Sequence, residues 1–596
     1  MCGILAYYQS NQLTKETVDD TYGALQKINH RGPDGEGMVL INTNTGQYVT
    51  YTPESTVEIG NYNFILAHKR LAIFDLSAAG HQPMLDNKND CIIIFNGEIY
   101  NFIELKKELQ ELGHQFTTNT DTEVILKAYK TWGTECVKKF NGMWSFVLFD
   151  LQTKQLFISR DRFGIKPMIY HTFSDNSWAI VSEEKQLFAF QKFSRKINYQ
   201  SIELLLKHRL IGVGNTTFFE NVLRFNPGHY AFQSIATYNF EQQVKFYEVN
   251  ASRNFKYKAK DKDKAIQHLN NGFYKAMDFT LRADVPVGLG FSGGVDSSRI
   301  VYECYEKFQK PETFSAVFPN SKEDESYYIN LVKDDLQLKS NFCYPEKEFT
   351  TSDFEKLTYH MDTPVPSASY YAEWCVSRLV KEKNIKVLLV GQGGDEVFAG
   401  YHHHFYRYLR ILLFNFKFAT FRKELAAYGE LKGISKKHLN KVVFSEVKLI
   451  IRLKLSGKKD WSSRWYLSST LSDFLKDEIM EYQIPYFLKA NDRIGMAFNF
   501  ESRYPFLDHE LVDFGFQCAD DLKIKDGWQK WMLRASNVNA PEQISWRKDK
   551  IGYVMPANLL PDFDQATIDL VKEKTGMLSD NNFINYSVGV WLKQFI

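Results

Sequence analysis

The 596-residue chain has little of what would tie it to a membrane, a disulfide frame or a nucleic acid. No stretch of it is a run of roughly 18 predominantly apolar residues such as a helical span needs. Its first residues, Met1-Cys-Gly-Ile-Leu-Ala-Tyr-Tyr, place no basic region before a short apolar run, so they do not read as a signal peptide. The seven cysteines (2, 91, 136, 304, 343, 375, 518) form no Cys-x-x-Cys pair. An odd, scattered set points to reduced thiols in a cytoplasmic setting. A net charge of +2 gives no electrostatic case for nucleic acid or membrane as partner. Internal repeats and low-complexity linkers are absent. There is also no Gly-Lys-Ser/Thr triplet, which excludes the loop that handles β/γ-phosphate transfer. What is present is globular: 44% apolar and 24% charged residues, in a chain long enough for two to four domains.

The most informative stretch is Phe291-Ser292-Gly293-Gly294-Val295-Asp296-Ser297-Ser298. A short apolar run, 284–291, precedes it and reads as a buried strand. After it, Ile300, Val301, Cys304, Tyr305 and Phe308 recur at helical spacing. A strand, a glycine-rich turn and a helix N-terminus present free backbone N–H groups and a positive dipole end to a phosphate. Ser292, Ser297 and Ser298 add hydroxyls, Gly293 and Gly294 allow close approach, and Asp296 offers a carboxylate to Mg²⁺ on the bound phosphates. The bland alternative is an ordinary βα turn. The loop resembles the pyrophosphate loop of ATP pyrophosphatases, which cleave ATP between its α and β phosphates. The resemblance implies an enzyme that adenylates its substrate.

In the first third, Cys2 follows the initiator methionine. Removal of Met1 leaves a thiol beside its own α-amine, whose ordinary pKa of about 7.7–8.0 suits a base at neutral pH. Further segments accompany it: His30-Arg-Gly-Pro-Asp-Gly35, His68-Lys-Arg70-Leu-Ala-Ile73-Phe74-Asp75 and Gly80-His-Gln-Pro-Met84. An apolar strand from Cys91 ends in Asn96-Gly97, and Thr120 caps a helix opening at Asp121. Phe140–Asp150 and Gln155–Arg160 alternate like paired strands. Together these segments resemble the class II glutamine amidotransferase domain, an N-terminal-nucleophile fold with two facing sheets between helices. The resemblance implies Cys2 as nucleophile, and the Asn96 side chain with the Gly97 N–H as oxyanion hole. It also implies Arg70 on the glutamine α-carboxylate, Glu98 and Asp121 on its α-amino group, and a pocket lined by Leu71, Ala72, Ile73 and Phe74. A surface ion pair is the alternative for Arg70 and Asp121.

In the second half, Thr313–Phe318 and Lys386–Val390 read as further strands with helical patterns between them. That alternation implies a doubly wound parallel α/β sheet. Ligands bind such sheets beyond the carboxyl ends of the strands. Gly391-Gln392-Gly-Gly-Asp395-Glu396 carries two carboxylates there, and Asp395 joins Asp296 as a candidate Mg²⁺ ligand. Phe291, Ala316, Val390 and Gly391 then line the adenine and ribose. Lys530 supplies a cation for charge developing at the α-phosphate, and the tail 546–553 is placed to close the cleft. Residues 402–482, basic with interleaved aromatics, read as a solvated helical face.

This half resembles the synthetase domain of glutamine-hydrolysing asparagine synthetases. The expected organisation is a glutaminase domain over 2–213, connecting strands over 214–255 and an ATP-pyrophosphatase domain over 256–596. The implied partners are small molecules: glutamine, ATP with Mg²⁺, and aspartate or another carboxylate. A homodimer is compatible with this reading. One departure bears on the acceptor, because that family commonly carries glutamate where this chain has Gln392. A relative amidating a uronic acid, or a catalytically silent relative, is the competing reading.

Overall fold

Period-two alternation in the first strands leaves both of their faces apolar, so both need cover. In β1 (Gly3–Tyr8), Ile4, Ala6 and Tyr8 pack one way, while Leu5 and Tyr7 pack the other. The structure, a computed structural model, describes residues 2–86, 90–251, 254–308, 310–456, 467–468, 470–537, 539–549, 555 and 563–596. In it β1 joins β2 (Gly35–Ile41), β3 (Tyr48–Thr50), β4 (Phe64–Arg70), β9 (Ile169–Thr172), β10 (Trp178–Val181) and β11 (Val222–Arg224). They form a seven-stranded sheet, ordered β11-β9-β10-β1-β4-β2-β3. A six-stranded sheet, β13-β12-β8-β7-β6-β5, holds β5 (Met84–Leu85), β6 (Cys91–Ile99), β7 (Gly142–Asp150), β8 (Gln155–Arg160), β12 (His229–Ser234) and β13 (Val244–Lys245).

One apolar cluster joins the two sheets, with Ile4, Val39 and Leu66 facing Ile92, Val147 and Ile158. Outside them, Leu5 and Ile65 pack with Leu25 of the helix Lys15–Gln26. On the other side Phe95 and Phe146 pack with Leu105 and Ile125, from the helices Phe102–Glu111 and Asp121–Trp132. The expected pair of sheets between helices is therefore present. Two details differ from the expectation. The strand from Cys91 does not stop at Asn96-Gly97 but pairs with β7 through Ile99, with Gly97 opposite Trp144. Within 214–255, β11 extends the first sheet and β12 and β13 extend the second.

The second half builds a five-stranded sheet, ordered β16-β15-β14-β17-β18 and parallel throughout. Its strands are β14 (Val287–Gly290), β15 (Glu312–Ala316), β16 (Lys339–Cys343), β17 (Val387–Leu389) and β18 (Glu501–Arg503). Strand order reverses between β14 and β17, and ligands collect beyond the strand ends at such a switch point. The two glycine-rich turns, 291–294 and 391–394, leave from those two strands. Core residues cover both faces: Leu289, Val387 and Leu389 pack on one side, and Phe314, Ala316 and Leu388 on the other.

The reading of 402–482 as a solvated face needs correction for its first helix. In His402–Phe414, His404, Phe405, Arg407, Tyr408, Leu409, Arg410, Ile411 and Leu412 are buried. Their apolar members pack in the sheet's own cluster, and the basic ones are covered with them. The helix Lys436–Ser456 does expose Lys436, Lys437, Lys441 and Lys448.

Candidate functional site

Cys2 stands at the head of β1, next to β4 in the sheet, and is buried. Its backbone N donates to Asn96 Oδ1 at 3.0 Å, and its Sγ lies 3.8 Å from the Leu71 carbonyl. Burial pushes the thiol above its ordinary value, so turnover needs a base or a bound-state change to expose the thiolate. Because Asn96 spends its oxygen on Cys2, its Nδ2 is left over. That atom is buried without a partner among the described residues. A preorganised donor beside a nucleophile is what a developing oxyanion requires. A Cβ at Gly97 would run into the Met143 carbonyl, so the strand passes here only as glycine.

The guanidinium of Arg70 is folded into the loop that follows it. It donates to the Ser77 carbonyl at 2.7 Å and to the carbonyls of Phe74 and Asp75. Gly80 packs against it so closely that a Cβ would strike the guanidinium. Arg70 thus holds in place the segment containing Leu71, Ala72, Ile73 and Phe74, all buried. Asp34 fixes the same segment from the other side, accepting from Ala72 N at 2.9 Å.

Glu98 and Asp121 converge. Asp121 Oδ2 accepts from Ile99 N at 2.8 Å, and both carboxyls are nearly fully buried. Burial, with Glu501 and Asp121 adding to it, pushes Glu98 well above the carboxylate range. Asp121 rises to about 7, burial again leading. Burial favours the neutral acid in both carboxyls, because little positive charge nearby offsets the cost of ionising them. An incoming ammonium group would supply that charge.

At the switch point, Gly294 caps the helix Val295–Lys307, with Asp296 in its first turn. Gly293 has φ +70, a conformation glycine adopts without penalty. Ser292 Oγ and Ser297 Oγ lie 3.2 Å apart across the turn, and Ser298 is fully buried behind them. Phe291, Ala316 and Val390 follow or end β14, β15 and β17, and Gly391 packs on Asp296. Lys530 Nζ joins the carboxylates of Asp296 and Asp395, the latter at 2.6 Å. These residues lie 234 positions apart for the first pair. Burial lowers the Lys530 ammonium's affinity for its proton, but the two aspartates more than offset this and keep it charged. Two carboxylates meeting beside a helix N-terminus form a donor set that fits Mg²⁺ with phosphate oxygens.

Arg547 is expected only as part of the covering tail; in the structure its Nη1 donates to the Gly293 carbonyl at 2.7 Å and its Nη2 pairs with Glu325 at 2.8 Å. Of the tail proposed as a cover, 550–553 lie outside the described residues. Arg31 is missed. Its Nε donates to the Cys2 carbonyl at 2.9 Å while its Nη1 pairs with Asp492 at 2.7 Å. The motif His30-Arg-Gly-Pro marks Arg31 as part of a turn, but nothing local indicates a partner 461 residues away.

His403, His404 and Glu478 form the one cluster of metal-ligating side chains found among the described residues. Their hydrogen bonds oppose a metal on the His404 Nε2. Tyr401 N donates to His404 Nδ1, which leaves the proton on Nε2 to donate to Glu478 at 2.6 Å.

A buried thiol at the head of two stacked sheets and a lysine-bridged pair of aspartates at a switch point define a class of protein. It couples a glutamine amidotransferase domain to a doubly wound nucleotide domain. Residues 52–247 match the family described as Glutamine amidotransferase domain, and residues 268–582 match Asparagine synthase. The chain belongs to the asparagine synthase family. It is 33% identical over 529 residues to a Methanocaldococcus jannaschii protein provisionally named glutamine-hydrolyzing asparagine synthetase 2, covering 83% of this chain and 93% of that one. It is 29% identical over 590 residues to the glutamine-hydrolyzing asparagine synthetase 1 of Bacillus subtilis, covering 93% and 87%. An amidase of Gibberella zeae is 25% identical over 633 residues, covering 94% and 90%. Family membership makes the protein an ATP-dependent ligase that draws nitrogen from glutamine.

Proposed function

We propose that the protein is a glutamine-dependent asparagine synthetase acting in the cytoplasm. In the first half-reaction Arg70 faces the glutamine α-carboxylate, while Glu98 and Asp121 receive its α-ammonium. Cys2 Sγ adds to the side-chain carbonyl carbon, and Asn96 Nδ2 and the Gly97 N–H stabilise the oxyanion. The C–N bond breaks, ammonia leaves with a proton, and water then releases glutamate from the thioester.

In the second half-reaction an aspartate side-chain oxygen attacks the α-phosphorus of ATP, and the bond to the bridging oxygen of pyrophosphate breaks. Ser292, Gly293, Gly294, Ser297 and Ser298 cradle the departing pyrophosphate at the helix N-terminus. Phe291, Ala316, Val390 and Gly391 border the adenosine. Lys530 balances charge growing on the phosphate oxygens. Asp296 and Asp395 would hold Mg²⁺, which supplies charge neutralisation to the phosphates. Ammonia then attacks the acyl carbon, AMP departs, and one proton is lost.

The observation that carries this reading is the core shared by the two sites. Leu71, whose carbonyl lies 3.8 Å from the thiol, and Ile73 of the same segment belong to the same apolar cluster as Leu289, Val387 and Leu389 of the nucleotide sheet. A core continuous between the two halves supports a reading in which ammonia passes from one site to the other within the protein. No helix among the described residues is long and apolar enough to cross a membrane.

A second reading, amidation of a different carboxylate, is favoured by Gln392. Its carboxamide oxygen is buried without a partner among the described residues, which suits an acceptor bearing a hydrogen-bond donor there. Incubation with glutamine, ATP and aspartate decides between them. Asparagine, AMP and glutamate in equal amounts support the first. Glutamine-dependent pyrophosphate release only with another carboxylate supports the second.

A further inference from the structure

One half-buried carboxylate, that of Glu373, has no part in the mechanism above. Glu373 lies in the second turn of the helix Ser369–Glu382, which packs on β15 and β16. Only residues 383–386 separate that helix from the start of β17, so its C-terminal end lies at the amino edge of the sheet. Its first turns, and Glu373 with them, lie at the carboxyl edge, where this class of sheet binds ligands. Tyr504, the first residue beyond the carboxyl end of β18, marks the same place. Burial, then Asp492 and Glu373, push its phenol upward.

Facing Glu373 is Asn491, from the helix Ile484–Ala497. Asn491 Nδ2 donates to Glu373 Oε1. The other end of that carboxamide, Oδ1, is buried with no partner among the described residues, in a side chain only 4% exposed. No lysine or arginine pairs with Glu373 among the described residues, and burial pushes its carboxyl up to about 7. A carboxyl without a cationic partner and an unpartnered amide oxygen therefore belong to one contacting pair, with the amide donor between them already used. Water could take one such acceptor. A group with several N–H donors and a positive charge answers both at once.

We propose that Glu373 and Asn491 form a binding subsite for an ammonium group at the carboxyl edge of the parallel sheet. Two sources share this chemistry. One is the α-ammonium of an amino-acid acceptor, which rests on the function proposed above. The other is ammonium itself, held between glutamine hydrolysis and amide formation.

Equilibrium titration tests the subsite without requiring turnover, so it remains decisive even if no asparagine is made. Aspartate, ammonium chloride and nitrogen-free succinate are titrated calorimetrically into the full-length protein and into Glu373→Gln and Asn491→Leu, each confirmed folded by its thermal transition. The expected result is that Kd for aspartate or for ammonium rises at least about tenfold in both variants, the scale of one lost charge-assisted contact, while any succinate binding is unchanged. Kinetics then separates the sources. A higher KM for aspartate, with both glutamine and ammonia as donor, identifies the acceptor's ammonium. A higher KM for ammonia with an unchanged KM for aspartate identifies the travelling one. Unchanged Kd for both nitrogen compounds in both folded variants overturns the proposal. Failure to form asparagine, with the Kd shift present, counts against the proposed acceptor and leaves the subsite standing.

Discussion

At Cys2 the surroundings withhold more than they supply. The thiol is buried and raised, its backbone N is tied to Asn96, and the free Asn96 Nδ2 waits beside it. Cys2→Ala is expected to abolish glutamine-dependent product and to leave product formation from added ammonia, since only the first half-reaction uses a thiolate. Loss of both, in a folded variant, would show that the sites are not separable. A second expectation concerns pH. Asp121 is raised from 3.8 to about 7 by burial, and Glu98 faces it, with Glu501 and Arg503 from β18 and Lys166 nearby. A raised carboxyl stays protonated below that value, whereas a bound ammonium prefers it ionised. Glutaminase kcat/KM should therefore fall as pH drops below about 7, mainly through KM. A flat profile between pH 5.5 and 8 would remove Asp121 and Glu98 from glutamine binding. At this scale the sequence singles out Cys2, Asn96-Gly97 and Asp296 because each sits in a recognisable local motif. The contacts of Arg31 and Arg547 escape it because each has a partner hundreds of positions away.

The elements that matter most are the two turns leaving β14 and β17. Their glycines are packed by the chemistry itself: a Cβ at Gly394 would sit 2.7 Å from the Asp296 carboxyl. At Gly400 it would strike Asp395 and Lys530. Gly394→Ala is expected to displace Asp296 and to slow pyrophosphate formation by about 10²–10³, as Lys530→Ala should, because each disturbs one electrostatic contact at the phosphate. Glutamine hydrolysis persists in both. Near-normal pyrophosphate release from either variant would contradict the assigned roles. Strands and turns of this half are legible in the sequence because βα repetition and glycine clusters are local signals. The strand through Asn96-Gly97 reads as ending too early, since Gly97 looks like a turn until the Met143 carbonyl beside it is seen. The helix His402–Phe414 reads as solvated because its arginines and histidines are buried only by tertiary partners such as Glu478.

Over the whole molecule, a seam of buried charge joins the halves. Arg31 pairs with Glu183 and Asp492, Arg493 with Glu184, and Lys185 with Asp362 and Glu183, all nearly inaccessible. Arg31→Met leaves Glu183 and Asp492 with less compensation in a dry interior. Breaking such a pair costs about 3–5 kcal/mol, so the denaturant midpoint should fall clearly. An unchanged midpoint would mean that water or a rearranged Arg493 replaces the lost charge. Beside this seam runs the cluster that holds Leu71, Ile73 and Tyr100 together with Leu289 and Val387. Packing of this kind opposes movement of one half against the other. Rocking one half against the other would open apolar surface to water, at about 25 cal/mol for each Å² exposed. Signals between glutamine turnover and ATP turnover are then expected to travel as side-chain and loop rearrangements, which leave that shared surface closed.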